Sequence, residues 1–214
     1  MKSRWTKAGA QKAIERLAER HGEDLALRVY TSRLIGSDPN LVLHGGGNTS
    51  LKATRTTLLG ELVDVLFVKG SGISLDEVGP EDLLGLDLTH LRRLRRLESL
   101  SDEEMVSQLR ARALDPSTAN PSVETLLHAF LPHRFVDHSH ADAVLTLTNQ
   151  PEAEALVREA LGDRVVVIPY LMPGLRLAKA VAEAVEEHPA AQGAVLLKHG
   201  LCSFGEDART SYER

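Results

Sequence analysis

Residues 121–150 read PSVETLLHAFLPHRFVDHSHADAVLTLTNQ, and the order of patterns in this stretch decides the fold. Apolar positions at helical spacing run over residues 122–131, and Pro132 closes them. Residues 134–140 then carry the aromatic and β-branched side chains of a short strand, and a new helical pattern starts near Asp142. Side chains alternate across a strand, so His138 and His140 share one face. Two imidazoles held about 6 to 7 Å apart on a stiff backbone can close on one metal ion. The competing reading, a pair of surface or pH-titrating histidines, stays open at this point.

A third histidine occupies a similar place. Residues 193–200, GAVLLKHG, run an apolar strand directly into His199 and a glycine. Three neutral imidazoles with an open position form the ligand set of a catalytic zinc, whereas a structural zinc closes its shell with four protein ligands. Cys202 is the single cysteine, which excludes a closed thiolate site. A lone cysteine fits a reducing compartment and a packing role.

Composition narrows the class further. The chain of 214 residues is 43% hydrophobic and 26% charged, which suits one globular α/β domain and excludes a disordered chain. A formal net charge of −5 argues against nucleic acid as a partner, because such proteins carry a basic excess. The cluster Arg92-Arg93-Leu94-Arg95-Arg96 opposes that average, but Leu91, Leu94 and Leu97 recur beside it, as in a half-buried segment with a solvated basic face. No run approaches the ~20 apolar residues of a membrane span, and the amino terminus lacks a signal-peptide pattern. A cytoplasmic protein is expected.

Along the chain, helical spacing predicts helices over residues 7–20 and 23–35. Residues 41–44 read as a short strand entering the loop Gly45-Gly46-Gly47-Asn48-Thr49-Ser50, after which residues 51–54 resume an extended pattern. Glycines let backbone N–H groups approach an anion, although a hairpin turn explains them equally well. Residues 63–68 are a second strand, delivering Lys69-Gly70-Ser71-Gly72, and two such loops could cradle one phosphate. Residues 79–91 resist assignment. A capping box at Ser101 and Glu104 opens a helix over residues 101–113, and residues 115–121 form a loop. Further helices are expected over residues 152–161 and 175–187, with a strand at residues 164–168. Strands alternating with helices predict an α/β sandwich. A last helix starts after Gly205 and stops within a few turns, as expected of part of a longer chain.

Taken together, His138-x-His140, the strand ending in His199-Gly200, the Gly-Gly-Gly-Asn-Thr-Ser loop and the Lys-Gly-Ser-Gly loop resemble the class II aldolase/adducin family over nearly the whole chain. Residues 31–52 and 121–150 are similar, more narrowly, to the amino-terminal aldolase domain of bifunctional rhamnulose-1-phosphate aldolase/alcohol dehydrogenase proteins, in which a dehydrogenase domain follows. The resemblance implies a three-layer α/β/α sandwich around a mixed, mainly antiparallel sheet, and Zn2+ held by His138, His140 and His199. It also implies Glu124 as catalytic carboxylate and Tyr170 as proton donor. Substrate contacts would fall on Gly47, Asn48, Ser71, Gly72 and Ser122. A homotetramer is expected, cleaving a ketose 1-phosphate such as rhamnulose-1-phosphate through a metal-stabilised enediolate. Val123 departs from the pattern, standing where the sugar-phosphate aldolases often have a second serine. Epimerisation, dehydration or decarboxylation at the same metal, and a non-catalytic adducin-like scaffold, are the alternative functions.

The remaining histidines read differently. His44 could face the cavity, whereas His128 and His133 flank a helix end as cap or surface residues, and His21, His90 and His188 read as surface. Asp142 extends the string to His138-x-His140-x-Asp142, as in dinuclear metallohydrolases, but Ala143 stands where those sites want another histidine.

Overall fold

The computed structural model describes residues 2–115 and 119–214. Helix α1 (Lys7–His21) starts where the Thr6 hydroxyl accepts the Gly9 N–H at 3.0 Å, and it ends at Gly22, whose φ is 86°. Helix α2 (Glu23–Gly36) follows at once. Strands β1 (Asn48–Thr56), β2 (Leu62–Lys69) and β3 (Leu83–Asp87) form a meander. Next come helices α3 (Leu88–Leu94), α4 (Asp102–Arg110) and α5 (Thr125–Phe130), then strand β4 (Phe135–Ser139). Helices α6 (Asp142–Thr148) and α7 (Ala153–Leu161), strand β5 (Val165–Ile168), helix α8 (Leu175–Glu187), strands β6 (Gly193–Leu196) and β7 (Gly200–Gly205), and helix α9 (Ala208–Glu213) complete the described order.

The strands join in one seven-stranded sheet of order β3-β2-β1-β4-β7-β6-β5. Every neighbouring pair is antiparallel except β5 with β6. The expected α/β class and mainly antiparallel sheet are therefore present. One face packs Leu66, Val68, Val136 and Leu196 against apolar side chains of α3, α5 and α8. The other packs Leu51 and Phe135 against Leu25 and Val29 of α2 and Ala208 of α9.

Two local expectations need correction, and one strand was not foreseen. Residues 41–44 form no strand. The Asp38 carboxylate accepts the Asn40 N–H at 3.1 Å and its carbonyl accepts the Leu41 N–H at 2.9 Å, so the chain turns instead. Val42 is buried there with Ile35 and Leu75. The helix expected from residue 122 begins at Thr125, with Glu124 as its N-cap residue. Strand β7 carried no strand signal in its six residues, because Gly200, Ser203 and Gly205 interrupt the apolar pattern. The unassigned residues 79–91 hold β3 and most of α3, where Leu91 and Leu94 are buried and Leu97 is 39% exposed. The loop expected over residues 115–121 includes residues 116–118, which lie outside the described residues.

Strand β4 lies at the centre of the sheet, and its alternation puts Asp137 on the α2 face and His138 on the α5 face. Asp137 is buried and takes a guanidinium N–H from the fully buried Arg28 of α2. Its second oxygen accepts the Ser211 hydroxyl of α9 at 2.5 Å. Arg28 also donates to Thr31 Oγ1 at 2.5 Å. Removing one member of a buried ion pair leaves a desolvated charge and costs about 3–5 kcal/mol. Asp137→Ala should lower the unfolding free energy by that amount in urea titrations, and the double variant Arg28→Met/Asp137→Leu should lose less than either single change.

Candidate metal centre

Two neighbouring strands and one turn bring the histidines together. His138 is the fourth residue of β4, and His140 follows just past its end, on the same face. The register pairs Asn48 of β1 with His138, and His138 with Cys202 of β7. His199 arrives on the turn between β6 and β7, where its N–H donates to the Leu196 carbonyl at 3.1 Å. Lys198 in that turn adopts a φ of 60°, an uncommon conformation for a residue with a side chain.

Gly200 closes this turn onto the strand beside it. A Cβ at this position would run into the Ser139 carbonyl and sit 3.1 Å from both His138 Cε1 and His140 Cδ2. Gly47, at φ 64°, makes a similar close approach, since a Cβ there would lie 2.7 Å from the His138 carbonyl oxygen. Two glycines thus let backbone run against the histidine strand from either side.

The imidazole centroids of His138, His140 and His199 stand 4.9, 5.0 and 5.4 Å apart. Together with a Glu124 oxygen, their ligand atoms all lie within 4.8 Å of one another. His138 Nε2 is 3.0 Å from His140 Nε2. Glu124 Oε1 is 2.8 Å from His199 Nε2 and 3.3 Å from His138 Nε2. His138 Nδ1 is 3.1 Å from the Leu201 carbonyl oxygen, which only accepts, so Nδ1 carries the hydrogen. That bond orients the ring and leaves its Nε2 lone pair for a cation in the neutral tautomer, the usual outer contact of a ligating histidine. Buried Cys202 packs behind it, with Sγ 3.5 Å from Nδ1.

Electrostatics favour positive charge here. Burial raises the Glu124 pKa, but attraction to His138 and contacts from His138 and His199 outweigh it and hold the carboxyl well below its ordinary range. Burial lowers His138, yet the Glu124 charge dominates and holds it well above its ordinary value. His140 is pushed down to about 4 by burial and by the neighbouring His138 charge. Among the described residues, Glu124 Oε1 is buried without a well-aligned hydrogen bond, its near neighbours being His199 Nε2 and His138 Nε2. Three imidazoles and a carboxylate with an unsatisfied oxygen fit a borderline divalent cation, and imidazole donors suit zinc among several transition metals.

The expected substrate residues fall around this cluster in different ways. Asn48 is buried, and its amide nitrogen donates to Glu124 Oε2 at 2.6 Å. Ser122 Oγ accepts the Glu124 N–H at 3.2 Å, so it braces the carboxylate's backbone. Ser71 and Gly72 are exposed. Their loop touches the first glycine loop, since a Cβ on Gly45 would lie 3.1 Å from the Gly72 carbonyl oxygen. Lys69 joins the two loops, donating to the Gly45 carbonyl at 3.0 Å and the Ile73 carbonyl at 2.6 Å. Burial pushes its pKa down to about 8, partly offset by Glu124.

Tyr170 is not part of the cluster. It is 52% exposed, with its phenol donating to Met172 Sδ at 3.0 Å. It does leave the sheet at the same end as His199, because β5 and β6 run parallel with Ile168 beside Leu196. Asp142 and His44 are exposed and lie outside the cluster. His128, expected at a cap or surface, is fully buried against Asn48 and Ser50. The available signal was its spacing of four from Glu124, which puts both residues on one side of a helical turn.

Zinc-loaded wild type should hold one ion per chain by metal analysis, and His138→Ala or His199→Ala should lose it, while the control His90→Ala keeps it. Gly200→Ala should also lose most of the metal, because its methyl group displaces two imidazoles.

Known proteins similar to this chain point to one family. A model of the Class II Aldolase and Adducin N-terminal domain matches residues 26–214. The Uncharacterized oxidoreductase YuxG of Bacillus subtilis (strain 168) is 40% identical over 186 residues, which is 87% of this chain and 27% of that protein. The chain therefore spans about a quarter of that relative's length. The solved N-terminal Class II Aldolase domain of a conserved protein from Thermoplasma acidophilum is 40% identical with a TM-score of 0.88, covering 100% of this chain and 93% of that one. L-fuculose-1-phosphate aldolase from Thermus thermophilus shares the fold at a TM-score of 0.53 and 21% identity, over 88% of this chain and 87% of that one. The match over residues 26–214 shows that the chain belongs to the class II aldolase and adducin N-terminal domain family.

Proposed function

We propose that this domain is a metal-dependent aldehyde-lyase that cleaves a ketose 1-phosphate of the rhamnulose-1-phosphate class, with Zn2+ as its metal. The observation that carries this reading is the Glu124 carboxylate set 2.8 Å from His199 Nε2 in a cluster of three imidazoles. His138, His140 and His199 would hold the ion. A divalent cation there supplies Lewis acidity, drawing electron density from the substrate carbonyl next to the bond that breaks.

The chain's own groups handle protons. In cleavage, the hydroxyl of the departing aldehyde half loses its proton and the carbon–carbon bond breaks toward the carbonyl side. A proton must then reach the carbon that held that bond. Glu124 delivers one that it has first taken up from solvent, and in condensation takes it back. Its side chain is only 11% exposed, enough to meet a substrate while most water is excluded. Tyr170 is the proposed partner for the aldehyde oxygen, on the strength of leaving the same sheet end as His199. The paired glycine loops clamped by Lys69, with Gly47, Asn48, Ser71, Gly72 and Ser122, are the proposed substrate side, where backbone N–H groups would meet the phosphate.

A homotetramer in the cytoplasm completes the proposal. Among the described residues, no helix is long and apolar enough to cross a membrane.

Release of an aldehyde such as lactaldehyde from ketose 1-phosphates by the zinc-loaded protein tests the reaction. Glu124→Gln should keep the metal and lower kcat about 10²–10⁴-fold, the usual contribution of a positioned proton-transfer group. Unchanged turnover in that variant rejects the proton-transfer role of Glu124, and bound zinc with no cleavage of any ketose phosphate rejects the lyase reading.

A further inference from the structure

Behind Glu124 runs a row of buried polar groups, and of these the proposed reaction gives a task only to Asn48. Asn48 Nδ2 lies 2.6 Å from Glu124 Oε2, His128 Nε2 contacts Asn48 Oδ1, and Ser50 Oγ lies 2.8 Å from His128 Nδ1. His128, Ser50 and Asn48 are at most 3% exposed. The donor and acceptor chemistry of each group fixes the direction of the whole row. An ionised carboxylate only accepts, so the Asn48 amide must present its NH2 to Glu124 and its oxygen to His128. That oxygen only accepts, so His128 Nε2 carries a hydrogen. A neutral imidazole then has a bare Nδ1, which takes the Ser50 hydroxyl hydrogen. Burial holds the His128 pKa well below its ordinary value, and the nearby His138 charge lowers it further, which keeps the ring neutral.

We propose that Ser50, His128 and Asn48 form a one-way hydrogen-bond chain that positions Glu124, fixing Oε2 so that Oε1 stays turned to the imidazole cluster. This rests on the reading of Glu124 as the proton-transferring carboxylate. The chain starts and ends on separate elements. Ser50 and Asn48 stand two apart on β1, facing α5, and His128 lies one helical turn beyond Glu124. The strand thus sets the carboxylate's angle through the imidazole. His128 and Asn48 are positioning residues, since His128 reaches the reacting atoms only through the amide. The chain also gives the Asn48 amide a task within the protein, because its oxygen and one N–H are already engaged.

The test combines a spectroscopic and a kinetic readout. In 15N-histidine NMR of the metal-free and the zinc-loaded protein at pH 7, His128 should be neutral with its hydrogen on Nε2. A hydrogen on Nδ1, or an imidazolium, overturns the proposal whether or not the protein cleaves a ketose phosphate. In kinetics, His128→Leu should keep zinc and hold KM within about 3-fold while kcat falls roughly 10- to 100-fold, the scale of misplacing a catalytic group by about 1 Å. His128→Gln, which returns an N–H near the position of Nε2, should recover most of that loss. Equal kcat for the wild type and a folded, zinc-loaded His128→Leu overturns the positioning role. If the wild type cleaves nothing, the lyase reading fails separately. Crystals of His128→Gln and His128→Leu then decide the chain, by whether Glu124 Oε2 keeps its place in the first and moves in the second.

Discussion

Burying Glu124 Oε1 against three imidazoles carries a desolvation cost that only positive charge at the same point offsets. The opposed shifts of Glu124 and His138 express that demand, the carboxyl held down and the imidazole held up. Without a cation, the cluster must meet it by keeping a proton on a buried ring. A divalent ion meets it more completely, because it adds charge and accepts the lone pairs that the His138–Leu201 contact turns inward. The close backbone approach at Gly200 serves the same need, because a methyl group there would push the His138 and His140 rings apart.

Strand β4 makes such a site compatible with a stable domain. Its two faces carry opposite polar assemblies, Arg28, Asp137 and Ser211 on one side and His138 with Glu124 on the other. A one-residue slip would bury the wrong set on each face, so the two assemblies enforce one register. Around them the sheet is apolar, with Leu51, Leu66, Val68, Phe135 and Val136 each at most 1% exposed. The polar groups at its centre are therefore held among tightly packed apolar side chains.

Much of this was legible in the sequence where chemistry follows from spacing. The alternation in residues 134–140 gave the shared face of His138 and His140, and the apolar run before His199 gave the third ring its strand end. The long periodic helices α1, α2 and α8 were read within one or two residues. Elements fixed by long-range contacts were hidden. Strand β7 lacks an apolar alternation and exists because β4 and β6 pair with its two edges. The segment after Asp38 looked extended, but one carboxylate and its carbonyl capture the following N–H groups. His128 was misread because its partners, Asn48 and Ser50, lie 80 and 78 positions away in the chain.

The centre itself is tested most directly by anomalous scattering at the zinc edge from crystals of the zinc-loaded protein. The account predicts one peak per chain about 2.0–2.1 Å from the Nε2 atoms of His138, His140 and His199. A peak elsewhere, or none among these three rings, would contradict it.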